Sequence, residues 1–144
     1  MRRTALALLA VAAACTGRVQ RLPATVTELR PCGSASNCVS SESTDPEHHV
    51  DPIPYTGDHI AAMRQLRHVI EDMPRAEITD ADDVALHAEI TSRLLRFVDD
   101  VDCVADPQAH VIAIRSASRV GYLDAGISRK RVEQIREAFL QRTT

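Results

Sequence analysis

The 144-residue chain has no tryptophan, only two phenylalanines and two tyrosines, and a single lysine, Lys130. Single-stranded nucleic acids are held on stacked aromatic rings along a basic groove. Aromatics at 3% and a net charge of −3 provide neither, so nucleic acid is set aside as a partner. The longest apolar run, Ala5 to Ala14, is far short of the roughly 20 residues an ordinary membrane-spanning helix needs. Glycine is scarce as well, with five in the chain. None belongs to a phosphate-cradling loop or a Gly-x-Ser-x-Gly elbow, and His-Glu-x-x-His does not occur. No cofactor and no metal are therefore expected. Arginine dominates the 17 basic residues. GC-rich codon usage accounts for that abundance, so only the placement of the arginines is informative.

The amino end, MRRTALALLAVAAAC, reads as an export signal over residues 1–14, with a basic start and an apolar centre. Cys15 after small residues resembles a bacterial lipobox, with Ala12 where that motif usually carries Leu. The expectation is a lipid-anchored protein of the bacterial cell envelope, facing the periplasm and tethered by residues 15–30. Soluble secretion is the alternative, and an organellar transit peptide a third reading, because no acidic residue precedes Glu28. Cys32 and Cys38 lie close together in a polar loop and can pair in an oxidising compartment. Zinc held by these cysteines with His48 and His49 is disfavoured by their spacing. Cys103 falls in a strand pattern and reads as a buried thiol.

Residues 31–144 read as one α+β domain. A long irregular segment, rich in Ser, Pro and Asp, precedes a helix capped by Asp58 and ended near Met73 by Pro74. Four strands follow, at 75–79, 84–91, 94–104 and 110–117, and then a helix starting near Ser128, with Ile127 and Val132 as its hydrophobic staple. The expected architecture is two-layered, α-β-β-β-β-α, an antiparallel meander flanked by two helices.

Two-residue turns at Ser92-Arg93 and Pro107-Gln108 sort the strands into an apolar and a polar face. Leu86, Ala88, Ile90, Leu95, Phe97, Val101, Cys103, Ile112 and Ile114 share the first. His87, Glu89, Arg96, Asp100 and Arg115 share the second, with Glu89 opposite Arg96 and Asp100 opposite Arg115. His87-Ala-Glu89 resembles the His-x-Glu of zinc deaminases, but no Cys-x-x-Cys follows, so these two read as members of a charge ladder.

Asp99 is the one acid assigned to the apolar face, opposite Ser116. It requires a partner, since an unpaired buried charge is very costly; Arg119 and Arg131 are the candidates. Ser118, Arg119 and Arg93 fall at the same end of the sheet, with Tyr122 close by. Arg129, Lys130 and Arg131 crowd the first turn of the last helix, where the macrodipole disfavours cations. Solvated ion pairs with nearby acids would explain them, and so would an anion site or a protein-interaction patch.

Three blocks, PCGSASNCVSSES, LHAEITSRLLRFVDDVD and IRSASRVGYLDAGISRKRVEQIR, resemble the domain-of-unknown-function 1499 family over about residues 31–141. Ser128 stands where members usually carry Asn, and Ala85 where Tyr is common. The resemblance implies envelope or organellar proteins and no established activity. The functional expectation is a non-enzymatic envelope domain. It would bind an anionic small molecule, a lipid head group or an envelope protein through Asp99, Arg115, Ser116, Ser118, Arg119, Tyr122, Arg129, Lys130 and Arg131. The alternatives are a small hydrolase-like enzyme using Asp99, His87 or Tyr122, and a purely structural envelope protein.

Overall fold

A computed structural model describes residues 28–121 and 126–142. The export signal, Cys15 and Tyr122 lie outside these residues. Strand β1 (Cys38–Ser40) and the short β2 (Ile53–Pro54) precede helix α1 (His59–Glu71). Then come β3 (Ala76–Ala81), β4 (Ala85–Thr91), β5 (Val98–Asp106), β6 (Val111–Ser118) and helix α2 (Ile127–Gln141). The meander is antiparallel throughout and the sheet order is β1-β6-β5-β4-β3, with β2 also paired to β6. The expected α+β architecture holds. The additions are β1 and β2, three and two residues long, too short to show a period.

Asp58 caps α1 by accepting a hydrogen bond from the Ala61 amide at 3.1 Å. Ala62, Met63, Leu66, Val69 and Ile70 form its buried stripe. Val132, Ile135 and Phe139 do the same for α2. Both stripes cover one face of the sheet, packing on Leu86, Ala88, Ile90, Val101, Cys103, Ile112 and Ile114. The opposite face has only a small apolar patch, where Leu29 covers Ala85 and Val104. A disulfide joins Cys32 to Cys38, and Cys103 is a buried free thiol.

The faces agree with the sequence reading, but the partners do not. The β4–β5 connection spans six residues, 92–97, since Thr91 pairs with Val98; the β5–β6 connection spans four, 107–110, since Asp106 pairs with Val111. Glu89 therefore lies opposite Asp100 instead of Arg96, Asp102 instead of Asp100 lies opposite Arg115, and Asp99 lies opposite Ser118 instead of Ser116. Leu95 and Phe97 leave the buried face because they belong to the loop. Ile127 is no staple residue either. Gly126, in the left-handed conformation at φ 79°, caps α2, so Ile127 is the first helical residue and is exposed.

Candidate functional site

Asp99 and Asp100 are neighbours on β5, so strand alternation sends their side chains to opposite faces. Each anchors a different cluster at the same end of the sheet. Asp99, only 5% exposed, pairs with Arg131 of α2, which is 7% exposed. A second nitrogen of Arg131 donates to Ser116 Oγ at 3.0 Å. The buried acid thus takes Arg131 of the two expected candidates. Arg119 turns to the other face.

The Asp99–Arg131 pair lies in a cleft of about 740 Å³, between the 92–97 loop and the start of α2. The loop is closed by Ser92 N–H to the Phe97 carbonyl at 2.8 Å and by Phe97 N–H to Ser92 Oγ at 2.9 Å. Arg96 adopts a left-handed φ of 56° within it. This geometry lifts Leu94 and Leu95 into solvent, 87% and 69% exposed. Of the six exposed large hydrophobic side chains among the described residues, Leu94, Leu95, Phe97, Val120 and Ile127 all line this cleft, and only Leu140 does not. An apolar concentration of this kind marks a binding surface more often than chance exposure.

The charges around the cleft are one-sided. Among the described residues, Arg75, Arg93, Lys130 and Arg131 line it against the single acid Asp99, in a chain whose net charge is −3. Asp99 offsets Arg131, which leaves three cations. Arg75 is steadied by donating from Nε to the Thr91 carbonyl at 2.9 Å. Lys130 is exposed and has no side-chain partner among the described residues.

The crowding of cations at the start of α2 resolves into three separate roles. Arg131 is buried against Asp99 and Ser116. Arg129 braces the 43–51 loop, donating to the carbonyls of His49 at 2.6 Å and Glu47 at 2.9 Å. Of the three, Lys130 lines the cleft with no side-chain partner among the described residues. Ser118 also lines the cleft and donates to the Val120 carbonyl at 2.9 Å. The structure thus brings together Asp99, Ser116, Ser118, Lys130 and Arg131, and sends Arg115, Arg119 and Arg129 elsewhere. The sequence reading missed the apolar wall. Its signal was the adjacent pair Leu94-Leu95, which a strictly alternating strand cannot bury on one face.

On the opposite face, His87 is 1% exposed and its Nδ1 lies 2.6 Å from Asp102 Oδ1. Asp102 Oδ2 accepts from Arg115 at 3.1 Å and from Arg30 at 3.4 Å. Burial pushes the Asp102 carboxyl up, but the His87 hydrogen bond and the charges of His87, Arg115 and Arg30 outweigh it and hold it below the usual range. Burial also lowers Arg115, with Asp102 opposing. Arg119 donates to Glu89 Oε1 and Asp100 Oδ1, both at 2.7 Å, and these hydrogen bonds, that to Asp100 foremost, raise its pKa.

The family described as "Protein of unknown function (DUF1499)" matches residues 28–139. No curated protein matches the chain. The match spans every strand and nearly all of α2, and the chain accordingly belongs to the DUF1499 family.

Proposed function

We propose that this domain is a non-enzymatic binding module that holds an anionic amphiphile, an acyl chain carrying a carboxylate or phosphate head, in the cleft between the 92–97 loop and α2. The carrying observation is that five exposed apolar side chains, and three cations with no acidic partner among the described residues, line one concavity. Its volume of about 740 Å³ suits a small-molecule ligand. Each methylene buried against the apolar wall contributes ~0.8 kcal/mol. Eight of them contribute ~6 kcal/mol before the costs of association are subtracted. Arg75, Arg93 and Lys130 favour a negative head over a neutral one.

The placement of Asp99 and His87 supports binding over hydrolysis. Asp99 is committed to Arg131, and His87 lies on the other side of the sheet, so the two do not share a site. The signal-like amino end and Cys15 support an exported domain held at the membrane of a bacterial envelope, where such amphiphiles are abundant.

The test is displacement of a fluorescent anionic acyl probe from residues 16–144, which contain every described element. Laurate and dodecyl phosphate should displace it, dodecanol at least tenfold less well, and inorganic phosphate not at all. Leu95→Asp should abolish binding, and Arg93→Gln with Lys130→Gln should erase the preference for a charged head. Equal competition by dodecanol, or full binding by Leu95→Asp, would refute the reading.

A further inference from the structure

The second face of the sheet carries a different chemistry, independent of the cleft. Donor atoms of His87, Glu89 and Asp100 all lie within 4.8 Å of one another. His87 and Glu89 share a face of β4, and strand pairing sets Asp100 of β5 directly across from Glu89. The imidazole is held by its Nδ1 contact to Asp102, while its Nε2 is buried without a hydrogen-bond partner. That nitrogen faces Asp100 Oδ1 at 3.5 Å. If Nδ1–H donates to Asp102, Nε2 presents a lone pair to a carboxylate oxygen. Two lone pairs confronted inside a protein repel unless a proton or a cation sits between them. A carboxylate bonded to the far nitrogen of a histidine is also the arrangement that orients imidazoles toward metals.

We propose that His87, Glu89 and Asp100 bind a divalent transition cation of the zinc class, with Arg119 as its internal competitor. One imidazole nitrogen and two carboxylates suit zinc, cobalt or manganese. Calcium, which takes six to eight oxygen ligands, is a poor match. The Arg119 guanidinium bridges Glu89 and Asp100. It is 17% exposed and follows the end of β6, just before Gly121. A metal ion would displace it toward solvent and take both carboxylates together with the imidazole. The sequence motif alone lacked a third ligand, and the β4–β5 register supplies it.

The experiment is isothermal titration of the chelator-treated, full-length chain in nonionic detergent with zinc chloride, beside magnesium and calcium chloride. Wild type should bind one equivalent of zinc and neither of the others. Arg119→Gln should bind at least tenfold tighter, because the competitor is gone. Glu89→Gln, at a half-buried position that does not anchor the core, should bind at least tenfold weaker. Nitrogen-15 spectra of Arg119→Gln should show His87 Nε2 shifting on zinc addition while Nδ1 stays bonded. The proposal is overturned if Arg119→Gln binds no zinc at millimolar concentration. It is equally overturned if Glu89→Gln binds as wild type does, or if the His87 resonances do not move.

Discussion

Replacing Asp99 by alanine tests the interior of the cleft most directly. The substitution leaves the Arg131 guanidinium, 7% exposed, with Ser116 Oγ as its one remaining side-chain partner among the described residues. Removing one member of a buried ion pair costs roughly 3–5 kcal/mol, because the survivor's desolvation is no longer offset. Arg131 and Asp99 line a cleft open to solvent, and water can reach a relaxed Arg131, so we place the loss near the lower end, about 3 kcal/mol. For a domain of this size that is a fall in Tm of about 10 °C. The control is Asp99→Leu with Arg131→Met, which replaces both charges by apolar groups of similar volume. It should restore stability to within about 1 kcal/mol of wild type, since neither charge then needs solvation. Urea unfolding at pH 7 measures all three proteins, and an unchanged slope would show that compactness is the same. A loss under 1 kcal/mol in the single variant would refute the argument, as would a double variant no better than the single one.

Three further predictions concern the segment that precedes α1. Reducing Cys32–Cys38, which closes a separation of six residues, should cost about 2 kcal/mol by chain entropy, visible as a lower urea midpoint in dithiothreitol. Arg129→Ala removes two hydrogen bonds to carbonyls of the 43–51 loop and should cost about 1–2 kcal/mol; faster amide exchange confined to residues 43–51, with α2 unaffected, would show that the role is local. The third prediction is pH-dependent. The Asp45 hydrogen bond raises the His48 pKa and burial opposes it, while the Glu47 amide and His48 lower that of Asp45. The His48 contribution is complete below its ordinary value of 6.5 and fades as pH rises through the raised one; that of Asp45 is complete above 3.8 and fades as pH falls. The stability difference between wild type and Asp45→Asn should therefore peak between these values. A difference that grew above pH 8 would contradict it.

The two faces of the sheet were legible in the sequence because alternation has a period of two. The true pairing differs from the expected one by four residues across β4–β5 and by two across β5–β6, as Glu89↔Asp100 and Asp99↔Ser118 show. Both shifts are even, so the side chains that stayed within β4, β5 and β6 kept their faces while exchanging partners. Loop length was the illegible quantity. The run LLRF has strand-like composition, and nothing local shows that Arg96 turns left-handed and ends the hairpin early. The same error hid the cleft, since residues assigned to the core could not also be its exposed wall. Asp99 stood out because a carboxylate in an apolar row demands a cation, and Arg131 was one of two in reach. Arg119 falls on the other face because alternation from Arg115 carries it there, where it meets Glu89 and Asp100.

The β1–β6 pairing joins Cys38 to Ala117, the first strand of the sheet to the last. The edge strand therefore cannot dock until the last strand has been made, whereas α1 and the β3–β6 meander assemble from contacts between successive elements. A chain that emerges amino end first holds residues 28–50 exposed for most of its synthesis. The Cys32–Cys38 bridge needs no distant partner and can close at once. It shortens the wait in entropic terms, since a segment already looped has fewer conformations to lose when β6 arrives. Closure of this bridge would then act as a timing device as much as a clamp, preparing the first strand for the last.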